Sequence, residues 1–145
     1  MKVITHSPEE TINLGKKIGS LLKKGDFIAF SGDLGAGKTT ITRGIAMGCG
    51  LDDEVTSPTF SIVNEYNSKI PIYHFDMYRI MNSTELEFTG FYDYPLDESI
   101  FIIEWSENIK DIIPPDAIRI DIKYIDENTR EVSIEGDLRF ADTWN

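Results

Sequence analysis

Between residues 31 and 40 the chain reads SGDLGAGKTT, small residues crowded around one lysine with two threonines behind it. Gly32, Gly37, Lys38 and Thr39 fit the spacing G-x-x-x-x-G-K-S/T of the phosphate-binding P-loop. Glycines let such a loop curl until successive backbone N–H groups point at one spot, where side chains would block a phosphate. A helix opening directly behind the loop adds the partial positive charge of its N-terminus. Lys38 then reaches the β- and γ-phosphates as a point charge, and the Thr39 hydroxyl can ligate Mg2+.

A P-loop needs acids to hold the metal and to orient an attacking group. Two apolar segments end in one: IPIYHFD in Asp76 and IFIIE in Glu104. Carboxylates at strand ends beside a P-loop stand where Mg2+ and the γ-phosphate would be; read singly, each is an acid closing a strand. TSPTF, residues 56–60, falls where a switch loop occurs in this architecture, and Thr56, Ser57 and Thr59 offer hydroxyls to a phosphate or metal. His74, alone within an apolar strand, reads as a packed core residue before it reads as a general base. The segment NIKD at 108–111 places its lysine one position too late for the guanine signature N-K-x-D, which favours adenine.

The elements that must carry these residues follow from periodicity. VIT reads as an edge strand. Residues 7–24 read as a helix, with Ser7 as N-cap, Pro8 in the first turn, Glu10 closing a capping box, and Leu14, Ile18, Leu21 and Leu22 on one apolar stripe. FIAFS is a short strand that runs into the loop, and residues 39–50 form the helix after it, stopped by Gly48 and Gly50. FSIVNEY and IPIYHFD read as strands joined by a turn at Asn67 and Ser68. STELEFTGF reads as a short helix capped by Ser83, and SIFIIEW as a buried strand. AIRIDIKYI and TREVSIEG alternate in polarity and form a terminal hairpin turning at DENT. Early strand–helix alternation and a closing hairpin predict an α/β domain of the P-loop NTPase type, a mixed sheet flanked by helices, and residues 1–145 are read as a single domain.

Composition narrows the setting. With 145 residues the chain has room for one ordinary core. It has no long apolar run and its first residues lack a secretory signal, so no membrane association is expected. One cysteine, Cys49, permits no internal disulfide, which fits a reducing cytoplasm. The net charge of −11 makes the chain a poor binder of nucleic acid by itself. A small-molecule kinase stays open on the P-loop alone, although Arg43 and Arg79 are isolated and no arginine-rich lid is visible. A nucleotide-dependent regulatory switch without useful turnover stays open as well.

Taken in order, GDLGAGKTT, SPTF, YHFDMYR, ELEFTGFYDY and IIEW, followed by TRE, resemble the TsaE (YjeE) family, small P-loop ATPases of bacterial tRNA modification, and the resemblance runs over nearly the whole chain, from Glu10 to Glu131. The resemblance implies a magnesium-dependent ATPase that works with TsaB and TsaD to make threonylcarbamoyladenosine next to the tRNA anticodon. TsaD transfers the threonylcarbamoyl group, a separate enzyme, TsaC, makes the threonylcarbamoyl-adenylate, and tRNA is met only through the complex. It implies that Gly35, Ala36, Gly37, Lys38, Thr39 and Thr40 hold the phosphates of ATP, that Thr39 and Glu104 hold Mg2+, and that Asp76 positions water. It places the adenine near Ser7 and Thr129. Trp105 matches an aromatic that packs near the site or faces a partner.

Overall fold

The computed structural model describes residues 1–32, 37–51, 63–77, 80–104 and 106–136. The chain opens with strand β1 (Lys2–Thr5) and helix α1 (Pro8–Leu21). Ser7 is extended, and its Oγ accepts the Glu10 N–H at 3.1 Å. Glu10 Oε2 accepts in return from the His6 N–H at 2.5 Å, so the capping box reaches one residue behind the cap. The helix ends at Leu21, earlier than the apolar pattern suggests. Leu22 turns extended yet still buries its side chain, so the stripe survives the end of the helix.

Strand β2 (Phe27–Gly32) leads to helix α2 (Lys38–Gly48), then come β3 (Val63–Tyr66) and β4 (Ile72–Asp76). A short helical turn, α3 (Ser83–Leu86), and three 3₁₀ turns lead to β5 (Ile100–Glu104), and the hairpin β6 (Ile118–Tyr124) and β7 (Arg130–Glu135) closes the fold. Two expectations are corrected here. The cap of α3 is Asn82 rather than Ser83: Asn82 Oδ1 accepts the Glu85 N–H at 2.9 Å, and Glu85 Oε2 accepts from Met81 N–H. Gly48 does not stop α2 but lies in its last turn, and the chain turns away at Gly50, whose φ is +97°.

All seven strands form one mixed sheet in the order β1-β7-β6-β2-β5-β4-β3. The central strands β6, β2, β5 and β4 are parallel, and the flanking pairs β1–β7, β7–β6 and β3–β4 are antiparallel. This is the expected α/β architecture. One face packs Ile28, Phe30, Ile72, Ile100, Ile102 and Ile120 against Leu14 and Ile18 of α1 and Ile41 and Ile45 of α2. The other packs Phe75, Phe101 and Ile103 against Leu86, Phe91, Ile109 and Ile113.

The two long helices meet backbone to backbone. A Cβ on Gly15 would stand 2.5 Å from Ile41 O and 2.9 Å from Gly44 Cα, and one on Gly19 would strike Ile45 O. Gly44 and Gly48 meet Ile12 O and Lys16 O in the same way. Two glycines four apart on each helix thus form the seam, and this unusually close crossing sets where the first turn of α2 points. Gly48 is therefore a contact residue, which explains why it does not end the helix.

Candidate functional site

The parallel strands β2, β4 and β5 all end at one edge of the sheet, the edge where open α/β sheets bind ligands. Strand β2 ends at Gly32 with φ +121°, where a Cβ would strike Ile122 O of β6. Gly37 caps α2 with φ +106°, a left-handed conformation that favours glycine. Gly37 itself brings no side-chain oxygen to the start of the helix. Lys38 is the first helical residue and is buried, while Thr39 and Thr40 are half-buried beside it. Gly35 and Ala36 lie outside the described residues, as do TSPTF, Arg79 and Trp105.

The two acids stand side by side. Asp76 of β4 pairs in register with Glu104 of β5. Alternation along β4 puts Ile72, His74 and Asp76 on one face, and Ile72 packs in the cluster beneath α1 and α2, so this is the α2 side of the sheet. Glu104 is buried and Asp76 half-buried. His74 is fully buried, as a core histidine should be, but it does more than fill space. Its Nε2 lies 3.4 Å from Glu104 Oε2, and its Nδ1 is 3.1 Å from the Tyr66 hydroxyl. Tyr66 and His74 thus flank the Glu104 carboxylate, a neighbourhood that the sequence reading missed because it is made across β4 and β5.

A cleft beside α2 is lined by Ser7, Pro8, Thr11, Gly37, Thr40, Glu127, Asn128 and Arg130. It brings the start of α1, the first turn of α2 and the terminal hairpin turn together. Ser7 lines it directly. Thr129 stands between two lining residues, with its N–H on Asp126 Oδ1 at 2.9 Å. The Asp126 carboxyl is held below the usual range, first by the Thr129 side chain and then by the Asn128 N–H. That bonding keeps the turn in one shape. Arg130 was passed over in the sequence. Its Nη1 donates to Asp126 O at 2.6 Å and Thr129 O at 3.0 Å, and its guanidinium stacks over Tyr124 at 4.6 Å. Its Nε would be 3.8 Å from a Cβ on Gly37, which places a cation beside the P-loop cap. The TRE segment was the available signal.

Among the described residues no three His, Cys, Asp or Glu side chains converge as a metal site. A donor set of one threonine and one or two carboxylates suits Mg2+, which keeps several waters and takes phosphate oxygens as its remaining ligands. The half-buried Cys49 plays no part in it. Its thiol is pushed up to about 11, first by burial and then by the charge of Asp26, and it stays protonated at neutral pH. Among the described residues no helix is long and apolar enough to cross a membrane.

Comparison with known proteins follows the same lines. Residues 5–132 match the family model described as "Threonylcarbamoyl adenosine biosynthesis protein TsaE". A "tRNA threonylcarbamoyladenosine biosynthesis protein TsaE" of Haemophilus influenzae is 44% identical over 122 residues, covering 80% of this chain and 77% of that protein. The protein of the same description from Bacillus subtilis is 39% identical over 134 residues, covering 92% and 84%. A solved structure, "Crystal structure of Bacillus subtilus YdiB", superposes with a TM-score of 0.77 at 32% identity, covering 99% of this chain and 90% of the other. With a family match over most of its length and relatives of this similarity, the chain belongs to the TsaE family.

Proposed function

We propose that the chain is the ATP-binding and ATP-hydrolysing component of the cytoplasmic machinery that makes threonylcarbamoyladenosine in tRNA, acting with TsaB and TsaD. The observation that supports it most is that helix α2, which opens with Lys38 and Thr39 behind the left-handed Gly37, follows the parallel strand β2, whose neighbours β5 and β4 end in the paired acids Glu104 and Asp76. In this reading the P-loop from Gly35 to Thr40 takes the phosphates, and Lys38 neutralises their charge. Thr39 and Glu104 would hold Mg2+, whose charge would offset that of the phosphates. Asp76, less buried than Glu104, orients the attacking water. The adenine enters the cleft between Ser7 and the turn at Thr129, where Arg130 adds positive charge beside the loop.

Hydrolysis by the chain alone is slow in this account. An arginine aimed at the γ-phosphate is worth ~10³–10⁵ in rate. Among the described residues none stands at the ends of β4 or β5. Arg43 is midway along α2 with its Nε buried, Arg119 is exposed on β6, and Arg130 opens β7; Arg79, three residues past Asp76, lies outside the described residues. Partners that order the switch segment or complete the site would supply the rest. The charge of −11 leaves tRNA to those partners.

The two acids make the reading testable. Glu104→Gln is expected to abolish most of the tightening that Mg2+ gives to ATP binding. Asp76→Asn is expected to keep ATP bound and to slow hydrolysis on the order of 100-fold. Calorimetric titrations with and without Mg2+, beside phosphate-release assays, read both. Metal-dependent binding lost in Asp76→Asn and kept in Glu104→Gln would reverse the roles. Unchanged behaviour of both would remove the site.

A further inference from the structure

Between β4 and β5 the chain crosses the far face of the sheet through a segment that is apolar on both sides. Leu86 and Phe91 are buried, and the Phe91 ring lies 5.0 Å from Phe75 and 5.5 Å from Phe101. Their neighbours point the other way: Phe88 is 87% exposed, Met81 74% and Tyr92 57%. Single exposed apolar residues are ordinary, but two aromatics and a methionine within one short run are not.

The exposure does not come from a loose loop. Asn82 and Glu85 cap α3, the Thr89 hydroxyl donates to Leu86 O at 2.7 Å and accepts the Phe91 N–H at 3.2 Å, and Gly90 makes the left-handed turn between them. Tyr92 rests against Phe91 with ring centroids 5.3 Å apart. The apolar groups are therefore held out in a fixed arrangement, which keeps the entropy lost on association small. In the same run Glu85, Glu87, Asp93, Asp97 and Glu98 are exposed and no lysine or arginine occurs from Ile80 to Ile109; Arg79 and Lys110 bound the run, and Lys23 and Lys24 line a cleft with Leu96 at its far end.

We propose that the Met81–Glu98 surface is where this chain docks on its protein partner, and that the partner offers an apolar pocket bordered by lysine and arginine. An acidic rim selects this occupant. A second copy would set like charges against each other, and anionic RNA or lipid would be repelled. Phe88, the most exposed, is the anchor that fills the pocket; Met81 and Tyr92 flank it, and the acids steer the encounter. The segment begins shortly after Asp76, so docking here bears on the strand end that carries the proposed water-orienting acid. This inference rests on the proposed function, which identifies the partner as the TsaB–TsaD pair.

The test is binding of the purified full chain to the purified TsaB–TsaD complex on a biosensor, at low and high salt. Phe88→Ser is expected to weaken binding at least about 30-fold, as loss of a central anchor does. Glu87→Lys with Glu98→Lys, which alters no buried residue, is expected to slow association and flatten its salt dependence. Both variants should bind ATP as the unaltered chain does, which shows that they are folded. If the unaltered chain binds and the folded variants bind equally well, this surface is not the docking site, while the proposed function stands. If the unaltered chain does not bind at all, both fall. If it forms dimers that Phe88→Ser dissolves, the surface joins two copies of this chain, and the proposal is overturned.

Discussion

Gly44→Ala is expected to destabilise the protein by roughly 2 kcal/mol, lowering the melting temperature by about 6 °C. The sign runs against helix propensity, since alanine is better than glycine in a helix interior by about 1 kcal/mol. At this position the added Cβ meets the carbonyl oxygen of Ile12 and lies 3.0 Å from Gly15 Cα. Backbone cannot rotate aside as a side chain can, so α1 and α2 must separate. The overpacking cost then falls near the upper end of ~1–3 kcal/mol or beyond it, and propensity recovers only part. Because the crossing aims the first turn of α2, nucleotide binding should weaken along with stability. Gly19→Ala should behave alike, against Ile45 O. Thermal melts with and without ATP–Mg2+ check this, and a rise in melting temperature would show that the helices part without strain.

Lys38→Ala separates binding from folding. Lys38 belongs to neither apolar cluster of the core, although it is buried. On the proposed role, removing this charge is expected to leave the fold in place, with a melting temperature within a few degrees of the unaltered chain's. A charge-assisted hydrogen bond contributes about 1.5–3 kcal/mol, so ATP affinity should fall roughly 10- to 100-fold. Calorimetry on the folded variant decides it, and near-normal affinity would mean that phosphates do not bind at this helix.

The site was more legible in the sequence than the scaffold. Gly32, Gly37, Lys38 and Thr39 lie within one short stretch and suggest the loop, and Asp76 and Glu104 each close an apolar run, so both ends of the proposed chemistry show in local pattern. That the two acids face each other was not visible, because it depends on the parallel register of β4 and β5, a long-range choice. The same holds for β1, which pairs with the last strand, β7. His74 illustrates the limit: its apolar surroundings predict burial, and burial is found, but its contact with Glu104 is made across strands. Gly48 was read as a helix stop when it belongs, with Gly15, Gly19 and Gly44, to a packing surface, since a glycine that ends a helix and one that admits a neighbour look alike in one dimension. Asn82 and Ser83 are both competent caps, and only the backbone of Asn82, extended at φ −161° and ψ 169°, decides between them.

The central claim is that this chain hydrolyses ATP in service of a partner complex, and release of phosphate measures it most directly. Purified chain with ATP and Mg2+ should turn over slowly, and addition of the TsaB–TsaD pair should raise the rate at least tenfold. Lys38→Ala and Glu104→Ala should lose the stimulated rate. A fast rate by the chain alone that the partners leave unchanged, or a phosphorylated small molecule among the products, would contradict the account.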